Sequence, residues 1–164
     1  MKQHVNVHLV IDNFERQFNM WRNVAKFFAQ TNYVMMLDVD FYLCTNFRTK
    51  ILNDERLISM LRSGNTAFVV PAFEYTNLED GKNPINFPKT KYALLKEVES
   101  GRLDMFHASW IKGHGPTNYS KYYQTGDIFK VKQYQAHYEP YVIFPKKSPW
   151  YARNEFYNVD LSFY

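Results

Sequence analysis

Hydrophobic and polar residues alternate from Val5 to Ile11, which sets Val5, Val7 and Leu9 on one side of an extended segment and predicts a strand. Asp12 and Asn13 then offer side chains that cap free backbone N–H groups. Phe14, Phe18, Trp21, Ala25 and Phe28 follow at alternating steps of four and three, the spacing of one helical stripe laid against a sheet. Tyr33-Val34-Met35-Met36-Leu37 is a short apolar run of the length expected for a buried strand. Strand, helix and strand in about 35 residues form the βαβ unit of a parallel sheet.

The pattern next predicts a helix from about Asp54 to Arg62, with Leu57, Met60 and Leu61 inward and Gly64 as its stop. Ala67-Phe68-Val69-Val70 reads as another buried strand. Thr76 to Lys89, with one Gly, two Pro and three Asn, reads as a loop. Thr90 can cap a third helix, Lys91 to Ser100, closed by Gly101. Trp110 to Gly126 is rich in Gly, Tyr, Thr and Asn without a clear period, so it reads as a long loop, a class that often carries function. Ile128 to Phe144 reads as largely extended. The expected fold is α/β, a mostly parallel sheet flanked by helices.

Composition narrows this further. A chain of 164 residues reads as a single domain, residues 1–164. Its 14 Phe, 13 Tyr and 3 Trp argue against disorder, and 6 Gly with 7 Pro exclude a collagen-like or linker-like chain. Cys44, the sole cysteine, cannot form an internal disulfide; that fits a reducing compartment without excluding a secretory one. A net charge of +4 leans toward anionic small molecules and gives no case for nucleic acid; Lys146-Lys147 is too short a basic run to change that. No apolar run approaches the roughly 18 residues of a membrane span, and no targeting segment is readable at the start.

The sharpest chemical feature is Leu37-Asp38-Val39-Asp40-Phe41. Two carboxylates end an apolar strand, and in open α/β sheets ligands bind at that edge. If the segment stays extended, Asp38 and Asp40 face the same way and converge on one point. Two such carboxylates repel, and a divalent cation with its preference for hard oxygen ligands relieves that repulsion. The plainer reading is a pair of solvated residues at a strand end. Two chemistries use an Asp pair in this position. One is phosphoryl transfer of the haloacid-dehalogenase type, weakened here because Tyr42 stands where Thr or Val is expected. The other is nucleotide-sugar transfer, with a metal held against a diphosphate leaving group.

The surrounding segments favour the second. Asn19 to Ala25 and Tyr33 to Phe41 resemble the LARGE-like glycosyltransferases, glycosyltransferase family 49. Phe68-Val69-Val70-Pro71-Ala72-Phe73-Glu74, Gly113-His114-Gly115-Pro116-Thr117-Asn118-Tyr119 and Tyr138-Glu139-Pro140-Tyr141-Val142 are similar to further family segments, in the family's order. The resemblance spans about residues 5 to 149. It implies a GT-A, Rossmann-like fold and Mn²⁺-dependent inverting transfer of a sugar, glucuronate or xylose, from a UDP-sugar to a glycan acceptor in the Golgi lumen. Asp38 and Asp40 would hold the metal and diphosphate, and Arg22 would face the donor or form a surface ion pair. His114, Thr117, Asn118 and Tyr119 would belong to a loop near the sugars, or to a structural turn. Glu139 is the expected catalytic base, desolvated by its aromatic neighbours, with Asp127 in reserve.

The family pattern has a further strand and helix before Val5 and further motifs after Pro149, including a metal-ligating His. This chain is therefore expected to match the central part of such a domain and to turn over little as it stands. A glycan-binding remnant without activity and a metal-dependent phosphohydrolase are the rival expectations. His4 and His8 make a weak metal pair without a third ligand. Cys44 reads as a small buried residue rather than a nucleophile. Tyr122, Tyr123, Tyr134, Tyr138 and Tyr141 suit core packing more than sugar stacking.

Overall fold

The computed structural model describes residues 6–11, 13 and 17–151. The expected cap at Asp12, the stripe residue Phe14 and His4 lie outside them. Six α-helices are described: α1 (Phe18–Phe28), α2 (Phe47–Asn53), α3 (Glu55–Arg62), α4 (Lys91–Glu99), α5 (Ile111–His114) and α6 (Tyr119–Gln124). The strands are β1 (Tyr33–Met35), β2 (Phe68–Val70), β3 (Phe73–Tyr75), β4 (Leu103–Met105) and β5 (Tyr141–Pro145).

The main sheet has the order β1-β5-β2. Val34 pairs with Phe144 on one edge of β5 and Val69 with Val142 on the other, both antiparallel. The expected parallel sheet is thus corrected: every pairing among the described residues is antiparallel. β1 and β2 do point the same way, joined through α2 and α3, but β5 lies between them. An apolar run reports burial and carries no sign of the direction in which its neighbour runs. Residues 6–11 are unpaired and exposed, so the first βαβ unit is absent from the described chain.

Side chains alternate across β5. Ile143 packs with Ile58 and Leu61 of α3, while Met35, Phe47, Ile51, Phe68 and Val70 close the same cluster. Phe144 points to the other face, where the ammonium of Lys26 on α1 lies 5.4 Å from its ring. The sheet is therefore covered by α2–α3 on one side and α1 on the other. Asp54, where the predicted helix begins, caps α3 by accepting from the N–H groups of Arg56 and Leu57. Gly64 follows at φ +80°, a backbone conformation that suits glycine. Helix α2 was not expected; Asn46 caps it by accepting from Thr49 N.

The second sheet is the pair β3–β4, with Glu74 opposite Asp104. Helix α4 links these strands, capped by Thr90 as expected. The predicted loop from Thr76 to Lys89 contains two short 3-10 turns. The expected loop from Trp110 to Gly126 is instead largely helical: α5, a 3-10 turn and α6 follow one another. Pieces this short fall below the window in which helical periodicity shows. Of the predicted extended stretch Ile128 to Phe144, only Tyr141 onward is strand.

The expected stripe on α1 does not face the sheet. Phe18, Trp21 and Phe28 stay substantially exposed, and the buried side chain of this helix is Lys26, at 1% exposure. Its ammonium donates to the carbonyls of Ser148 (2.5 Å) and Pro149 (2.8 Å) and lies 5.1 Å from the Trp150 ring. Asn23 adds reciprocal hydrogen bonds with the backbone of Tyr151. Burial lowers the Lys26 pKa, while the two carbonyls and two rings take the place of lost water. Lys26→Met keeps the stem but removes these donors, so it is expected to lower stability by about 1–3 kcal/mol. Urea unfolding measures this, and amide exchange should show residues 146–151 loosening first.

Candidate functional site

β1 ends in a turn rather than continuing straight. The N–H of Phe41 donates to the carbonyl of Asp38 (3.2 Å), so Asp38 to Phe41 folds back at the sheet's edge. The expectation that Asp38 and Asp40 share one face of an extended segment is corrected accordingly. Both carboxylates sit on a solvent-exposed turn, with Val39 fully exposed between them. Phe41 anchors the turn, its ring 4.8 Å from both Phe106 and Tyr141.

β5 brings the partner. The phenol of Tyr141 donates to Asp38 Oδ2 at 2.7 Å, across 103 residues of chain. Burial raises the Tyr141 pKa, and the hydrogen bond to Asp38 and the charges of Asp38, Asp40 and Glu139 raise it further. The phenol thus remains a proton donor to the carboxylate. Asp40 and Glu139 thus stand near enough to the phenol to act on it by charge.

His114 lies beneath. It is 4% exposed, its ring stacked 5.8 Å from Tyr141 and edge-on 5.2 Å from Phe106. Burial pushes its pKa down to about 4; nearby His107 adds to the shift and Asp38 opposes it. Glu139 is held by its backbone, whose N–H donates to Gly113 O at 2.8 Å. This bond fixes the Gly-His segment to the start of β5. The residue is exposed, so aromatic neighbours do not desolvate Glu139 as expected.

The rest of the Gly-His segment is turned inward. Thr117 Oγ1 and the Tyr138 hydroxyl hydrogen-bond at 2.9 Å in the interior. Tyr119 donates to Ala72 O (3.0 Å) and accepts from Ala72 N (3.3 Å), tying α6 to the entry of β3. Asn118 takes φ +62° and accepts from Lys121 N, capping α6. The structural turn is therefore what Thr117, Asn118 and Tyr119 form, and His114 is the member of this segment placed beside the Asp pair.

Two further candidates stand elsewhere. Arg22 donates to Asn19 Oδ1 within α1 and lies 5.9 Å from the Tyr151 ring. Asp127 is gripped by both Nη atoms of Arg56, at 2.6 and 2.7 Å, which holds its carboxyl down to about 2. A carboxylate so stabilised is a poor proton acceptor near neutral pH. Cys44 is half-buried, with its thiol raised by burial, and Lys146 donates to Ala29 O at 2.5 Å. Sequence reasoning set Tyr141 down to core packing over sugar stacking and missed its bond to Asp38, for nothing local marks a partner 103 positions away.

No group of three or more His, Cys, Asp and Glu side chains among the described residues could hold a metal ion by itself. Two exposed carboxylates on a turn suit a hard cation that takes its remaining ligands from phosphate and water. Beside the pair opens a cavity of about 450 Å³, with Asp40 on its wall.

A family model described as glycosyl-transferase for dystroglycan matches residues 2–158. The xylosyl- and glucuronyltransferase LARGE1 of Danio rerio is 34% identical over 158 residues, 93% of this chain and 19% of that protein. LARGE2s of the same organism is 36% identical over 156 residues, and LARGE1 of Homo sapiens 32% over 158, each again covered to 19%. The chain thus spans about a fifth of the length of these relatives.

The buried imidazole makes a pH prediction. The unfolded chain binds a proton near the ordinary value of 6.5, whereas folded His114 binds one only near 4. Between these values the unfolded state holds more protons, so stability falls as pH drops from about 6.5 to 4, by up to about 3 kcal/mol. Above 6.5 this group contributes no pH dependence. Urea titrations in EDTA should show that loss, and His114→Phe should flatten it.

Proposed function

The chain belongs to the LARGE-like glycosyltransferases, glycosyltransferase family 49, and from that membership we propose that it transfers glucuronate or xylose from a UDP-sugar to a glycan acceptor. The observation that carries this reading is the clasp of Tyr141 on Asp38 at the exposed turn that also bears Asp40, with the buried His114 ring stacked beneath the phenol. We assign the arrangement to a GT-A type of nucleotide-sugar site. The placement of β1 and β2 in the same direction, with a ligand edge at the end of β1, supports that assignment.

In the proposed reaction an acceptor hydroxyl oxygen attacks the anomeric carbon, whose bond to the diphosphate oxygen breaks with the electron pair leaving on UDP. Configuration inverts. The hydroxyl proton passes to Glu139, an exposed carboxylate two residues before Tyr141 with its backbone pinned to Gly113. Asp38 and Asp40 would hold a divalent cation, Mn²⁺ by the family resemblance, which when bound offsets negative charge gathering on the diphosphate. Tyr141 keeps the Asp38 carboxylate turned to one side of the pair. His114, held neutral, supplies no positive charge that would compete with the cation. The proposed location is the Golgi lumen; no helix among the described residues is long and apolar enough to cross a membrane.

Asp38→Asn and Asp40→Asn are each expected to abolish Mn²⁺-dependent UDP-sugar binding while leaving the thermal transition close to wild type. Calorimetry with and without Mn²⁺ tests this, and equal donor affinity in both conditions would refute the metal assignment. Glu139→Gln is expected to lower transfer by about a hundredfold or more at unchanged donor affinity. Near-normal transfer would move the base elsewhere, and lost donor binding would make Glu139 a structural residue.

A further inference from the structure

We propose that Asn118 is an acceptor for an N-linked glycan, an assignment that rests on the luminal location proposed above. Asn118-Tyr119-Ser120 is the one Asn-x-Ser/Thr triplet in the sequence. Such a triplet is read as a chain enters the secretory lumen, and the bulky sugar it receives must end on the surface of the fold.

The tertiary structure meets that condition. Asn118 and Ser120 are exposed, while Tyr119 between them is buried and tied to both backbone groups of Ala72. Asn118 stands where the 3-10 turn Gly115–Thr117 passes into α6, at φ +62° and ψ +71°, a left-handed conformation that asparagine tolerates. Its backbone N–H donates to Gly115 O (2.9 Å) and its carbonyl accepts from Tyr122 N (3.0 Å). Its side-chain Oδ1 accepts from Lys121 N at 3.0 Å. Among the described residues no hydrogen bond engages Nδ2, the atom that would carry the sugar. Glycosylation therefore removes no bond from the fold, because the substituted amide keeps its carbonyl and with it the cap on α6.

In the reaction Nδ2 attacks C1 of an oligosaccharide carried on a lipid diphosphate, the co-substrate of a luminal oligosaccharyl transferase. The N–C1 bond forms as the bond from C1 to the phosphate oxygen breaks. The electron pair leaves on the lipid diphosphate, and the amide gives up one proton. In the folded chain Tyr119 and Ser120 belong to α6 and Tyr119 is pinned to Ala72, so the triplet is not free to bend into an enzyme. Transfer belongs to the stage before this segment folds.

The test produces the whole chain behind a cleavable secretory leader in cultured animal cells, with a C-terminal tag that carries its own Asn-x-Thr acceptor. Only molecules glycosylated on the tag are scored, because that glycan certifies entry into the lumen. The wild type is expected to carry a second glycan, seen as a further step in gel mobility that peptide N-glycosidase removes. Mass spectrometry after release should find position 118 converted to aspartate. Ser120→Ala is expected to lose the second step and Ser120→Thr to keep it. Alanine is a strong helix former and leaves the Asn118 cap in place, and the glycan is scored whether or not a variant folds. A single glycan on wild-type molecules overturns the proposal, as does a second glycan that persists in Ser120→Ala. Because the leader supplies the route, either result strikes the acceptor assignment and leaves the Golgi reading standing. Cytosolic localisation of the natural protein would refute the Golgi reading instead, and the acceptor assignment would then stand or fall on the leader experiment alone.

Discussion

The hydrogen bonding of β5 on both of its edges is the constraint on which the rest of this structure depends. Short strands such as β1 and β2 gain little from pairing alone, and here each is completed by a strand far later in the chain. With Ile143 seated against α3, the register of β5 is set, because a slip of one residue would turn Ile143 out and Phe144 in. That register places Tyr141 beyond the end of β1, where its phenol meets Asp38. The site is thus a by-product of core packing. Whatever holds Ile143 in place also aims Tyr141.

The segments flanking the sheet are tied down by polar groups that reach backbone atoms. Lys26 holds residues 148 and 149, Tyr119 holds both backbone groups of Ala72, and Lys91 holds the end of α6. Each is a long side chain whose polar tip meets a backbone carbonyl. The Gly-His segment turns inward for the same reason: its hydroxyls and its Asn are satisfied within the fold.

Electrostatics then separates two kinds of carboxylate. Asp127 is matched to a fork of Arg56 and held firmly ionised, which suits a fastening between α3 and the chain after α6. Asp38 and Asp40 stand on one exposed turn, with a neutral phenol bonded to Asp38 and, beneath that phenol, an imidazole that burial keeps uncharged. The phenol orients the Asp38 carboxylate without neutralising it.

Local sequence by itself determined the elements whose signals are local. The helix capped by Asp54 and ended before Gly64, the helix capped by Thr90, and the apolar cores of β1 and β2 follow from caps, glycine and periodicity within a few residues. The Asp pair was legible in the same way, since an acidic doublet after an apolar run needs no partner to be seen. Strand direction, the turn at Asp38, the inward commitment of Thr117 and Tyr119, and the burial of Lys26 in place of the α1 aromatics were decided by the tertiary structure. Each depends on which distant segment arrives alongside: β5 for the sheet, Ala72 for Tyr119, residues 148–149 for Lys26. A residue's own neighbours in sequence carry periodicity and capping, but the hydrogen-bond partner that fixes its role here lies 21 to 123 positions away.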